Sequence, residues 1–504
     1  MFARSHRLPA RLLAVLVLAA ALLVGAATLR GAEYDEQYTL LLLSGTPRPV
    51  WPEAVFTAGE ARAAEQGQTS LIAIAHDLRT TDVHPPLYFW AAAGWRDLVG
   101  PGLVRARLLS VLLGLGTLVA VGVIAGASRI PPVLAMGFTL GCYGFAYTGA
   151  IARGFALAQL FSLCGVALLL AAERRGRAGI ALAGGLALGA ATFTNYLASF
   201  VGLAALAWLI WRRPRAPRLW LAAMLGFALF LPADLWFFLP QRTSRVGQFP
   251  PFRLLDSLLL LGRDCAGALA GGLPLYANGT WRVLAAGAVG GLLAGLAVLI
   301  VWRWRRLAPP GPRLLLVVCA GAPPAGLLLL GAVFDTTPIE LRYLAFATPF
   351  AALLLAGAVA TLPRRPALVL AALVLAVQAA SVIGLLTRPE TMQPARATAR
   401  AAAAWPDALV LIPRGNDGVG IIGAFASETP PETKLLVVDR DEPPDHIRQR
   451  AAGARRVVLA LLAQDDASRD TAHALLAAFG SRPCWRRIGV GFNVLAYARV
   501  CEGD

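Results

Sequence analysis

Four groups of side chains in this chain have the types and spacing to do chemistry. Glu33-Tyr34-Asp35-Glu36 follows directly on the first apolar segment; two adjacent carboxylates at such an edge are either a solvated helix flank or a base placed to take a proton from a hydroxyl. Asp82-Val83-His84-Pro85-Pro86 sets an acid and an imidazole just before a Pro-Pro pair, which cannot continue a helix from upstream but can start one. Asp82 and His84 can serve there as cap, hydrogen-bonding groups or metal ligands; one His among scattered acids makes no full metal set, and capping by Asp82 is the plainer reading. Arg153 and Arg342 stand apart from the other arginine clusters. An ion pair with Glu340 or Asp335 accounts for Arg342, whereas Arg153 has no acid near it in sequence. A guanidinium fork suits a phosphate bidentately, so the set describes a general base beside a cationic cradle.

The elements that must position these residues are mostly hydrocarbon. Of 504 residues, 57% are hydrophobic and 15% charged, which excludes an ordinary soluble domain. A bilayer core of ~30 Å needs about 20 apolar residues, and such runs recur at 10–29, 107–127, 132–150, 155–172, 178–194, 196–211, 219–239, 282–302, 314–334, 342–361 and 367–387. The shorter stretches 84–99 and 254–275 are ambiguous. The expected fold is therefore a polytopic α-helical membrane protein of about 11–13 transmembrane helices. The leucine-rich stretch 254–272, with Asp256, Arg263 and Asp264, reads as a helix on the exterior membrane surface, or else as a tilted span.

The net charge of +17 would point to nucleic acid in a soluble protein. Here the arginines instead fall in turns between apolar runs, at 174–177, 212–218, 303–313 and 364–365, as positive-inside anchoring requires; no nucleic-acid partner is expected. This topology places residues 31–83, Arg153, Arg342 and everything after 387 outside the cytoplasm. The run 10–29 is read as a permanent anchor, with a cleavable signal peptide ending near Ala26-Ala27 as the alternative.

From about 390 the chain changes character. Strand-like runs at 408–412, 434–438 and 455–462 are separated by Pro, Gly and Asp, and a helical pattern at 466–479 precedes a final hairpin turning near Phe492-Asn493. The division is thus a membrane domain, 1–389, including exterior loop 31–83, and a small exterior (periplasmic) α/β domain, 390–504. Cys142, Cys164, Cys265 and Cys319 lie in apolar stretches as small fillers. Cys484 and Cys501 bracket the hairpin and are a disulfide candidate in an oxidising compartment.

The order Asp35-Glu36, Asp82-x-His84-Pro85-Pro86-Leu87-Tyr88, Arg105-x-Arg107-Leu-Leu-Ser110, Ala152-Arg153-Gly154-Phe155 and Arg342-Tyr343 resembles the GT-C superfamily of membrane glycosyltransferases. It is most similar to the branch holding protein O-mannosyltransferases and the lipid A aminoarabinose transferases. The resemblance covers about residues 10–390 and is most specific over 31–112. It implies a polyprenyl-phosphate sugar donor and inverting transfer to a hydroxyl of a lipid, envelope glycan or protein. It also implies catalysis at the exterior face of the bacterial inner membrane, with Asp35 as base and Glu36 orienting it or the acceptor. Arg153 and Arg342 are implied at the donor phosphate, with Asp82, His84, Tyr88 and Tyr343 as substrate or structural support. No cofactor is required by this scheme, and metal dependence stays open. Two departures matter: Gly154-Phe155 stands where many relatives have Pro-Tyr, and no lysine precedes Lys434, which puts an aminoarabinose donor in doubt. The rival class is a transporter or flippase of a lipid-linked anion, with Asp35 and Asp82 as coupling acids; such acids usually sit near the midplane of repeated halves, and no repeat is visible here.

Overall fold

In a bilayer every backbone N–H and C=O must be satisfied within its own segment, and all eleven apolar runs are helical in the computed structural model, several as two consecutive pieces. The structure describes residues 10–48, 51–242, 249–271, 277, 279–387, 394–415, 418–462, 466–480 and 483–501; the expected domain boundary at 389–390 lies outside them. Among the described residues six helices are long and apolar enough to cross alone: Ala10–Leu29, Leu103–Ala127, Phe155–Arg175, Gly279–Trp302, Pro310–Phe334 and Arg364–Thr387. Pro217–Ala228 and Leu231–Gln241 form one broken span bent by 42°, and Pro132–Gly141, Ala178–Thr192, Tyr196–Arg212 and Thr348–Ala360 are shorter apolar helices. This is an integral membrane protein. The two ambiguous stretches are helices of 13 residues, Leu87–Val99, and 17 residues, Leu254–Ala270, against the about 20 residues usual for a crossing.

The chain divides into two compact units: Met1–Leu29, Ala75–Ala92 and Arg107–Arg388 in the first, Arg30–Ile74, Ala93–Ala106 and Pro389–Asp504 in the second. Much of the segment that the sequence assigns to a membrane-domain loop, 31–83, therefore belongs to the second unit.

Within the first unit, helices approach closely where side chains are small. A Cβ on Gly185 would lie 1.9 Å from the Ala223 carbonyl oxygen, so helices Ala178–Thr192 and Pro217–Ala228 touch backbone to backbone only because glycine stands there. Helix Gly279–Trp302 shows the opposite surface: Trp281, Val283, Val298, Val301 and Trp302 are exposed, an apolar face suited to lipid. Helix Leu254–Ala270 turns Leu254, Leu255, Leu258 and Leu259 outward and buries Ser257 and Asp264, the inverse of a soluble amphipathic helix.

The second unit is an α/β layer. Strands β1 (Phe56–Thr57), β2 (Leu409–Pro413), β3 (Lys434–Val438), β4 (Arg456–Ala460), β5 (Trp485–Gly491) and β6 (Val494–Arg499) form one sheet in the order β1-β3-β2-β4-β6-β5. β2 pairs in parallel with both β3 and β4, the other pairs being antiparallel. Its central strands are buried on both faces, which is why they read as continuous apolar runs. Crossover helices Gly420–Glu428 and Pro444–Arg450 join β2 to β3 and β3 to β4. A cleft of about 540 Å³ opens at the carboxyl ends of β2 and β3, but its Arg414 and Arg450 already pair with Asp439 and Glu442 at 2.9 and 2.7 Å.

Asn493, at φ 54°, turns the β5–β6 hairpin, and Cys484 and Cys501 are joined by a disulfide across a sequence separation of 17. Closing a loop of that length is worth about 3 kcal/mol by chain entropy. The Cys484→Ser/Cys501→Ser double variant is expected to lower the melting temperature of this unit by several degrees. Reduction should then have no further effect on it; an unchanged melting temperature would contradict the assignment.

Glu65 gives this unit a pH dependence. Burial pushes its carboxyl up to about 7, against the Ser427 hydroxyl and the Arg62 and Arg96 charges that pull it down. A raised carboxyl favours the folded state fully below the unfolded value near 4.5, and that contribution is lost as pH rises through 7. Glu65→Gln, which never ionises, is expected to raise the melting temperature by a few degrees at pH 8 and by less at pH 5. Equal shifts at both would refute this account.

Candidate active site

The turn between helices Tyr143–Thr148 and Phe155–Arg175 presents Arg153. Ser110, on helix Leu103–Ala127, donates to the Ile151 carbonyl at 2.7 Å and so fixes the turn two residues before the arginine. Gly154 follows because nothing larger fits without a shift: a Cβ there would lie 3.1 Å from the Thr194 carbonyl oxygen and 3.3 Å from the Tyr88 Cβ. The turn thus rests on Tyr88, which is fully buried at the start of helix Leu87–Val99.

Arg153 is 2% exposed, and burying a guanidinium without an anion is prohibitive. The anion is Asp82, whose Oδ2 lies 3.7 Å from the Arg153 guanidinium. Asp82 is not the helix cap that the Pro-Pro start suggested. Its Oδ1 instead accepts from the Val83 N–H at 2.6 Å and meets His84 Nδ1 at 2.7 Å. Burial alone would raise the Asp82 carboxyl, yet the Arg153 and His84 charges hold it well below the usual carboxylate range. Arg153 also lies 3.2 Å from His84 Nδ1. One ring nitrogen cannot donate to a carboxylate and accept from a guanidinium together, and the shorter contact to a charged acceptor puts the Nδ1 proton toward Asp82. The Phe89 ring lies 5.8 Å from the Arg153 guanidinium.

Arg342 lies in the short 3₁₀ helix Leu341–Phe346, which packs against helix Leu254–Ala270. It is 3% exposed and pairs with Glu340 at 2.6 Å. The Tyr343 ring lies 5.5 Å from the Arg342 guanidinium and stacks on Phe155 at 6.5 Å. Phe155 and Tyr343 thus link the arginine turn to the Arg342 helix.

Asp35 and Glu36 lie in the second unit, in the first turn of helix Tyr34–Ser44, and both are buried. Glu36 Oε2 accepts from the Glu33 N–H at 3.1 Å in a capping box, while Arg30 pairs with Glu33. The approach to the helix is braced from the same unit: the Ala32 N–H donates to Glu428 at 2.6 Å, and Arg396 holds that carboxylate at 2.6 Å. Sequence reasoning missed Arg30 as the partner of Glu33, although an arginine just outside the first span breaks the same charge bias that marked Arg153. Among the described residues no three His, Cys, Asp or Glu side chains group to hold a metal ion.

Residues 83–236, which contain His84, Tyr88 and Arg153, match the dolichyl-phosphate-mannose-protein mannosyltransferase family. The whole chain superposes on ArnT from Cupriavidus metallidurans bound to undecaprenyl phosphate, with TM-score 0.50 and 15% identity over 97% of this chain and 98% of that one. The chain has the fold of this ArnT. The apo form of the same ArnT superposes on this chain with TM-score 0.52 and 15% identity, over 97% of each. No curated protein matches it by sequence. The buried acid and guanidinium of Asp82 and Arg153, with the half-buried imidazole of His84, stand within or at the edge of the family-matched segment.

Proposed function

We propose that this chain is a GT-C glycosyltransferase that moves a sugar, with inversion, from a polyprenyl-phosphate donor to a hydroxyl of an acceptor on the exterior face of the inner membrane. The observation that carries the reading is Arg153, a buried cation paired with Asp82 within the mannosyltransferase-matched segment. The ArnT of the same fold was solved with undecaprenyl phosphate, a lipid of the class that the proposed reaction releases.

In the proposed step Asp35 takes the acceptor hydroxyl proton as the acceptor oxygen attacks the anomeric carbon. The bond from that carbon to the phosphate oxygen breaks, and polyprenyl phosphate leaves with the electron pair. Such a leaving group departs as a stabilised anion without an acid, so one base suffices where glycoside hydrolysis uses two carboxyl groups. Arg153 stabilises the charge growing on the phosphate. Arg342 adds to that field, its own charge partly answered by Glu340. Glu36 holds the Asp35 helix start through its capping bond. The acceptor is a lipid, envelope glycan or protein.

Purified chain in liposomes with polyprenyl-phosphate sugars extracted from the source membranes distinguishes the classes. Transfer releases free polyprenyl phosphate and labels an acceptor, whereas movement of intact lipid between leaflets with no cleavage would replace the enzyme by a flippase.

A further inference from the structure

The broken span ends on a residue that the proposed reaction does not use. We infer that Gln241 is a positioning residue, stapling the chain from Leu78 to His84 so that Asp82 and His84 meet Arg153, and that Tyr196 fixes the orientation of its amide. This rests on the reading of Asp82, His84 and Arg153 as a working site.

Gln241 is 4% exposed at the last turn of helix Leu231–Gln241. Its Nε2 donates to the Leu78 carbonyl at 2.7 Å and to the His84 carbonyl at 3.2 Å, while its Oε1 accepts from the Tyr196 hydroxyl at 2.9 Å. The two carbonyls can only accept, so the amide nitrogen must face them and the oxygen must face Tyr196, whose hydroxyl then has to donate. Neither Leu nor Glu at this position supplies two donors. The staple grips both ends of the segment that contains Asp82.

Three features bring Gln241 to this place. The 42° bend after Pro217–Ala228 redirects the second half of the span. Asp234 accepts from the Thr192 hydroxyl at 2.7 Å and pins that half to helix Ala178–Thr192. The Arg79 guanidinium lies 3.9 Å over the Trp236 ring, holding helix Leu71–Thr81 alongside. A polar residue is costly at the end of an apolar span, and these bonds are what it supplies in return.

The test uses full-length protein in detergent, with extracted polyprenyl-phosphate sugars as donor and released polyprenyl phosphate as readout. Gln241→Leu is expected to lower kcat by ten- to a hundredfold at nearly unchanged KM, because a displacement of about 1 Å at the reacting groups costs on that order. Tyr196→Phe, which deletes one oxygen, is expected to cost three- to tenfold. The double variant should match Gln241→Leu alone, since both act through one amide. Losses that multiply, or a lower melting temperature with kcat unchanged, would overturn the inference. If Gln241→Leu does not fold, the split between kcat and KM in Tyr196→Phe decides. Asp82→Asn run in parallel separates the two levels: full activity there sinks the reading of the site itself, whereas loss there with an intact Gln241→Leu sinks only the positioning role.

Discussion

Asp35→Asn is expected to lower transfer by about 10²- to 10⁴-fold, the usual contribution of a positioned general base, while the chain stays folded. Asparagine keeps the size and hydrogen-bonding oxygen of the side chain. The charge it removes lies in the first turn of helix Tyr34–Ser44, where a carboxylate out of full solvent contributes up to about 2 kcal/mol through the helix dipole. The melting temperature should therefore move by no more than a few degrees. Glu36→Gln is the matched control. Its remaining oxygen can still accept from the Glu33 N–H, so the capping bond survives and the expected loss is only a few fold. Release of polyprenyl phosphate and melting temperature, measured on both variants, check the assignment. Retained transfer by Asp35→Asn removes it from the base role, and a large loss confined to Glu36→Gln exchanges the two.

Arg153→Gln is expected to fail in stability and catalysis together, and a second substitution should separate the two. With the guanidinium gone, Asp82 becomes a buried carboxylate with His84 as its remaining counter-charge. Removing one partner of a buried pair costs about 3–5 kcal/mol. The pH dependence should also reverse. With Arg153 present the Asp82 carboxyl is held low, so its contribution is fully present above the ordinary carboxylate range and is lost only in strong acid. Without Arg153, burial works on the carboxyl against His84 alone, and the variant loses stability as pH rises above the ordinary carboxylate range. Asp82→Asn/Arg153→Gln removes both charges and is expected to recover most of the stability but none of the activity. Melting curves at pH 5 and 8 with transfer assays test this. Recovery of transfer in the double variant would mean that Arg153 only neutralises Asp82.

Much of this was legible in the sequence because it is written locally. Each apolar run marks a helix, since a bilayer leaves the backbone no other partner. The central strands of the second unit announce themselves as Val- and Leu-rich runs, and helix 466–479 and the Phe492-Asn493 turn lie where their patterns put them. What stayed hidden is nonlocal. Arg153 has no acid beside it in sequence because Asp82 arrives from another helix boundary. Asp82 itself reads as a cap because the Pro-Pro start is visible and the arginine is not. Strand β1 is two residues inside a polar linker, too short for any period, and only its partner Lys434-Leu435 makes it a strand.

That pairing also sets an order of events during synthesis. Phe56 and Thr57 find their partners in residues 434–435, and Ala32 finds its acceptor in Glu428. The ribosome must therefore complete every membrane span before the segment bearing Asp35 can settle. Contacts this distant close slowly, so the newborn first loop waits, without its sheet, for the end of its own chain. A polypeptide cut short after Asp35 but before about residue 428 keeps that carboxylate and lacks the partners that order the segment around it.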